Sequence, residues 1–344
     1  MKFDFAIGNP PYNEDFSNSG ENGNFAKPVY DKFMDAVFTV ADKVELITPA
    51  RFLFNAGSTP KVWNEKMLND EHFKVLCYES DSTKFFSNTD IKGGIAVTYR
   101  DNQISFGKIG TFTAFFELNG IKNKAKPKQD EESLVHIMFN QVNFDIDTLL
   151  KEHPEFKIKI GSEGKDRRLE KNIFDKIPLF TENKINDDDI RILGVIKNKR
   201  SWRYIPQKYI DKSHENLMKY KVLVPRSNGS GVIGEVLSTP IVCEPIVGYT
   251  RTFLGIGMFD TENEAENSLK YIKTKFARTM LGILKITQDN PIDTWRFVPL
   301  QDFTPQSDID WTKSIREIDQ QLYAKYKLSP DEIDFIETHV KEME

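Results

Sequence analysis

Two prolines in succession, Pro10 and Pro11, cut short the first apolar segment of this chain and set how it can begin to fold. Residues 3–7 (Phe-Asp-Phe-Ala-Ile) read as a buried β-strand; Gly8 follows, and the turn Asn9-Pro10-Pro11-Tyr12 then stops the strand abruptly, because proline fixes φ and offers no N–H to a sheet. Val29, Phe33, Val37 and Val40 recur at helical spacing. Residues 44–48 form a second apolar run closed by Pro49, Trp63, Met67 and Leu68 suggest another helix, and residues 73–78 and 94–99 are further strand-like runs. Strands alternating with helices predict an α/β layer with a mostly parallel sheet over the first hundred residues.

The pattern then changes. Residues 119–133 carry Lys122, Lys124, Lys126 and Lys128 around Pro127, followed by an acidic triplet, with no apolar period; they read as a linker or surface loop. Residues 134–189 show no clear pattern. Residues 190–303 look α+β, with strands at 221–225 and 241–243 and a helix over 262–278. The last forty residues are helical, with Ser329 as a cap, Pro330 in the first turn and acids after it. The expected division is 1–118, a connecting region 119–189, a domain 190–303 and a helical segment 304–344.

The charge is unevenly placed. The 344 residues sum to a net charge of −5, yet residues 190–303 hold seventeen Lys and Arg against eleven Asp and Glu. A basic module inside an acidic chain fits a nucleic-acid reader. Within it, Arg191, Lys197, Lys199, Arg200, Trp202, Arg203, Tyr204 and Lys208 interleave cations with aromatics, as phosphate contact plus stacking requires. Arg226-Ser227-Asn228-Gly229-Ser230-Gly231 reads as a flexible basic loop whose Arg226 and Asn228 could meet base edges, and Arg251 lies near the next turn. The DNA-binding candidates are therefore Lys199, Arg200, Trp202, Arg203, Lys208, Arg226, Asn228 and Arg251. The ordinary alternative for each is a solvated surface, and for Trp202 a core position. No apolar run is long enough for a bilayer, the N-terminus has no signal pattern, and neither the two cysteines, Cys77 and Cys243, nor the five scattered histidines have metal-ligand spacing. A cytoplasmic protein without metal or membrane contact is expected. Asp81, Asp90 and Lys92 echo a nuclease Asp…Asp-x-Lys arrangement, a spacing common by chance.

The residues of the first turn suit one chemistry. An adenine exocyclic amine is a poor nucleophile, because its lone pair is delocalised into the ring. Two acceptors that hold its two hydrogens favour a pyramidal, nucleophilic nitrogen. The Asn9 side-chain oxygen is one such acceptor, and the Pro10 carbonyl, aimed by the stiff turn, is the other. Tyr12 offers a flat face for a base taken out of its duplex. In open α/β sheets, ligands bind at this C-terminal end of the strands.

Residues 3–13 resemble the catalytic motif of γ-class adenine-specific (N6) DNA methyltransferases of type II restriction–modification systems. Ile47-Thr48-Pro49-Ala50-Arg51-Phe52-Leu53 resembles the next strand and turn of that family, and Phe85-Phe86-Ser87 with residues 91–100 resembles its aromatic-then-strand segment. Residues 252–257, 264–267, 271–276, 295–299, 308–311 and 318–323 resemble its target-recognition regions. The resemblance implies a partial Rossmann-like methyltransferase sheet, an α+β target-recognition domain and C-terminal helices. It implies catalytic roles for Asn9, Pro10, Pro11 and Tyr12, stacking of the target adenine between Tyr12 and Phe86, S-adenosylmethionine as methyl donor and double-stranded DNA as substrate. Family members place the cofactor-binding half first; here the catalytic strand comes first and no cofactor-binding residue is assigned. A second chain supplying that half, or a homodimer covering an exposed sheet edge, is the expected partner. Phe253-Leu254-Gly255-Ile256-Gly257 superficially fits a late, circularly permuted cofactor loop with residues 283–287 as a further strand. A recognition-domain strand with two glycines is the simpler reading. The other functional readings are an inactive DNA-binding module and, in the same enzyme class, a methyltransferase acting on RNA or protein glutamine.

Overall fold

β1, Phe3–Gly8, lies at the edge of its sheet. The computed structural model describes residues 3–13, 27–87, 91, 93–160, 167–285 and 287–343. These fall into two compact units, 1–119 and 120–344.

In the first unit β1 is followed by α1 (Tyr30–Val40), β2 (Ala41–Pro49), α2 (Lys61–Asn69), β3 (Phe73–Glu79) and β4 (Ile95–Asp101). The sheet order is β1-β2-β4-β3. β1 runs parallel to β2, with Gly8 opposite Leu46, but β4 is antiparallel to both β2 and β3. The mostly parallel sheet expected from the sequence is thus corrected: one pairing of three is parallel, because β3 and β4 meet antiparallel with no crossover helix to force parallel alignment. The core gathers Met34 of α1, Val44 and Leu46 of β2, Trp63 and Met67 of α2, and Phe73 of β3 around Phe52. Phe52 sits 5.1 Å from the Trp63 ring and 6.3 Å from that of Phe73. Each such side chain contributes about 1.5–3 kcal/mol on burial.

β1 differs from its expected burial. Alternation along the strand turns Ala6 toward this core, while Phe3, Phe5 and Ile7 are 52, 47 and 73% exposed. An apolar run predicts a covered strand; here three of its large side chains stay open to solvent.

α3, Phe116–Ala125, spans the division between the units. Residues 119–125, read from sequence as linker, are therefore helical. Ile121 and Ala125 are buried, and Lys124 pairs with Glu332 at 2.7 Å; the run of lysines hid the short apolar stripe. The second unit continues with β5 (Met138–Phe139), α4 (Ile146–Glu152), α5 (Ile173–Lys176), β6 (Asp189–Ile196), β7 (Lys199–Pro206), β8 (Tyr220–Pro225), β9 (Ile241–Cys243), β10 (Val247–Tyr249), β11 (Phe253–Phe259), α6 (Glu262–Lys273), α7 (Lys275–Gly282), α8 (Ile315–Lys325) and α9 (Pro330–His339). Two sheets, β10-β6-β7 and β5-β11-β8-β9, share a core that includes Phe144, Ile192, Ile205, Tyr249 and Phe253. The expected helix over 262–278 is two helices. Thr274 takes an extended backbone between them, and its hydroxyl accepts from the Ala277 N–H to cap α7. α8 and α9 each begin with a serine–glutamate capping box, Ser314 with Glu317 and Ser329 with Glu332. The chain is a mixed α/β protein, and among the described residues no helix is long and apolar enough to cross a membrane.

Candidate active site and nucleic-acid interface

The Asn-Pro-Pro-Tyr turn leaves the sheet at the C-terminal end of β1, where it reverses toward α1. The Val29 N–H donates to the Tyr12 carbonyl at 3.0 Å, and Asn13 bridges Pro28. Asn9 and Pro11 are exposed and Pro10 is half-buried, so the Asn9 amide is open to a ligand. Tyr12 is half-buried: its hydroxyl is enclosed without a hydrogen-bond partner among the described residues, and burial pushes its pKa up to about 12. The phenol is therefore neutral at physiological pH.

The second aromatic comes from the segment after β3. A short 3-10 turn, Ser82–Lys84, is capped by Asp81, whose carboxylate accepts from the Thr83 N–H at 3.1 Å. The Phe86 N–H donates to the Ser82 carbonyl at 2.9 Å, which brings the Phe86 ring to 6.5 Å from that of Tyr12 at an interplanar angle of 72°. The rings meet edge to face, a usual aromatic arrangement; a base held between them needs Phe86 to swing parallel to Tyr12. Asp81 is a turn cap, and the other two residues of the nuclease-like spacing, Asp90 and Lys92, lie outside the described residues.

The cationic candidates separate. Period-two alternation divides β7, putting Arg200, Trp202 and Tyr204 on one face and Lys199, Ser201 and Arg203 on the other. Arg200, Arg226 and Arg251 converge on one cleft of about 670 Å³, lined also by Glu170, Asn198 and Asp289. Arg226 pairs with Asp289 at 3.3 Å and Arg251 with Glu170 at 3.2 Å. The others do not line it. Lys208 is held by Glu152 at 2.6 Å, and Arg203 by Glu182 at 2.9 Å. Trp202 packs against the core with the Arg191 guanidinium 5.0 Å from its ring centre. Lys199 stands exposed beside the β6–β7 turn, where Lys197 and Asn198 both have positive φ, as a two-residue hairpin needs.

Asn228 corrects the expectation of a base-reading side chain. It is 3% exposed; its amide donates to the Val236 carbonyl at 3.1 Å and its oxygen accepts from the N–H and hydroxyl of Ser238. Nor is its loop slack. The Glu235 carboxylate accepts from the Ser230 and Gly231 N–H groups and the Ser230 hydroxyl, and meets Lys285 at 3.3 Å. Burial raises the Glu235 pKa, but those hydrogen bonds and Lys285 outweigh it and bring it down to about 2. Glu170, Asn198 and Asp289 escaped the sequence reading, because nothing in a linear pattern shows that segments so far apart meet at one cleft.

The implied methyl donor finds no seat in the glycine pair considered for it. Gly255 and Gly257 lie inside β11, which is antiparallel to both β5 and β8. A Cβ at Gly255 would meet the Tyr249 hydroxyl at 2.3 Å, so the glycine admits a neighbouring side chain rather than the donor's ribose or methionine portion. Residues 283–285 form no strand, and Ile286 lies outside the described residues. Among the described residues no group of His, Cys, Asp or Glu could hold a metal ion.

Residues 1–86, which carry both aromatics and the turn, match the Eco57I restriction-modification methylase family. The chain is also 35% identical over 97 residues to a Mycoplasma pneumoniae protein described as an uncharacterized adenine-specific methylase. The matched stretch is 28% of this chain and spans 22% of that relative's length.

Proposed function

We propose that the chain is the catalytic and target-recognition part of a site-specific DNA adenine-N6 methyltransferase. The carrying observation is the Asn9-Pro10-Pro11-Tyr12 turn at the C-terminal end of β1 with the Phe86 ring beside Tyr12. It is supported by the match of residues 1–86 to restriction-modification methylases and by the similarity to an adenine-specific methylase. In this reading the target adenine leaves the duplex and lies against Tyr12, with Phe86 turning onto its other face. The Asn9 side-chain oxygen and the Pro10 carbonyl accept its two amine hydrogens. The cationic surface of the second unit holds the DNA.

The glycine pair of β11 does not seat the methyl donor, and this reading places the donor on a sheet that meets the open edge of β1. β1 supports this, since among the described residues it pairs only with β2 and leaves one hydrogen-bonding edge and three large apolar side chains open. A sheet carrying the cofactor site, from a further segment or a second chain, fits against that edge and extends the first unit into a Rossmann-like sheet. The antiparallel setting of Gly255 favours a second reading, a recognition module with no methyl transfer of its own.

The test uses unmethylated mixed-sequence duplex DNA. The chain retains the duplex against RNA competitor. Once the chain is combined with the segment or second chain that binds the donor, adenine N6-methylation, read by mass spectrometry with a stable-isotope-labelled donor, depends on Asn9. Duplex retention with no adenine methylation, even when the donor-binding segment or chain is supplied, establishes the recognition module instead. Failure to retain duplex, or labelling of RNA or glutamine, overturns the proposal.

A further inference from the structure

The cleft shared by Arg200, Arg226 and Arg251 is not an evenly charged surface. Two of its guanidiniums already face carboxylates, Arg226 with Asp289 and Arg251 with Glu170. Arg200 differs: among the described residues it has no carboxylate partner. Its Nη2 donates to the Ser238 carbonyl, and its guanidinium carbon lies 5.6 Å from the centre of the Phe253 ring. Phe253 itself is buried, so the ring is a fixed platform. The carbonyl, which follows the Asn228-anchored loop, locks one corner of the planar fork. The hairpin turn at Lys197 and Asn198 sets where Arg200 leaves β7.

A guanidinium held by a ring and one carbonyl is oriented without being neutralised. Its remaining donors are arranged to meet two acceptors side by side. Burial lowers its pKa, yet it stays charged. Val195, Pro225 and Phe253 give the cleft apolar walls, and its four cations (Lys171, Arg200, Arg226 and Arg251) face two carboxylates (Glu170 and Asp289). The cleft keeps an excess of two positive charges, but the Arg200 fork is partly buried beside apolar walls with one corner already fixed, which suits a base edge, whereas phosphate contacts favour exposed, mobile cations. Guanine is the base that offers two adjacent acceptors, O6 and N7, in the major groove.

Resting on the reading of the chain as a DNA methyltransferase part, we propose that Arg200 determines specificity by reading a guanine in the recognition sequence. Arg226 and Arg251, held by Asp289 and Glu170, flank that contact. The target site then contains a G·C pair that depends on Arg200.

Selection of binding sites from a randomised duplex pool by the full chain tests this, beside Arg200→Ala and Arg200→Lys with folding checked by circular dichroism. The expected result is a wild-type consensus with an invariant G·C pair. Both variants relax that one position, losing roughly tenfold to a hundredfold in discrimination there, while the other positions stay. Three results overturn the inference. An unchanged consensus from both variants removes it alone. Uniform weakening over all sequences makes Arg200 a phosphate contact. If the wild-type chain enriches no sequence, the DNA reading falls and takes the inference with it. Should Arg200→Ala fail to fold, Arg200→Lys, which keeps the charge but not the fork, decides by the same criteria.

Discussion

Tyr12 and Phe86 stand edge to face, 6.5 Å between ring centres and 72° between planes, although they come from segments more than seventy residues apart. The pair occupies the end of β1 where the adenine is proposed to lie, so each ring covers the other until a base separates them. Because the Tyr12 hydroxyl is buried with no partner among the described residues, Tyr12→Phe removes an unsatisfied group and keeps the ring. The variant should match or exceed the parent in urea unfolding, by up to about 1 kcal/mol, with DNA methylation retained. Loss of more than that would show that the hydroxyl has a partner. Phe86→Ala keeps duplex retention but impairs methyl transfer.

Asn9 is exposed, and its proposed work is confined to the amine. Asn9→Ala should shift stability by no more than about 0.5 kcal/mol while methyl transfer falls by roughly a hundredfold or more, the usual effect of deleting one oriented polar partner. Equal loss of stability and activity would make Asn9 a structural residue.

The loop at residues 226–238 should loosen in acid. The Glu235 carboxyl titrates at about 2 in the folded chain against an ordinary 4.5. A depressed folded pKa means that its stabilisation is complete above about 4.5 and disappears as the pH falls from there toward 2. Glu235→Gln should therefore cost roughly 1–2 kcal/mol at pH 7, with the gap to wild type closing below pH 4.5. A gap that stays constant with pH would mean that the charge is irrelevant.

Ile7 is 73% exposed on an edge strand, a setting expected to favour self-association of the chain. Light scattering should show a species larger than a monomer at high concentration, and Ile7→Lys should return it to monomer with unchanged unfolding. A wild-type chain that stays monomeric throughout would leave the edge without an occupant of its own kind.

Much of the first unit was legible, for a physical reason. Its strands are short apolar runs ended by residues that cannot continue them, Gly8 with two prolines in β1 and Pro49 in β2. The turn chemistry of Asn9 and Pro10 could be read because it resides in adjacent residues. What could not be read depended on partners remote in sequence. β1 has the composition of a buried strand, but exposure depends on the neighbour that covers it. Arg200 and Lys208 look equivalent as letters; Glu152 neutralises one, whereas Phe253 and Ser238 orient the other. Asn228 has the chemistry of a base reader and is used entirely within its own loop.

That division of labour around Asn228 bears on how the chain can change over generations. The residues that frame the loop, Asn228 and Glu235, are committed to internal hydrogen bonds, whereas Arg200, Arg226 and Arg251 border open space. On the proposal made for Arg200, a substitution there alters what is recognised without asking the scaffold to refold. On that same proposal, a lineage drifts to a new recognition sequence by single steps, each intermediate still folded, while the frame stays fixed.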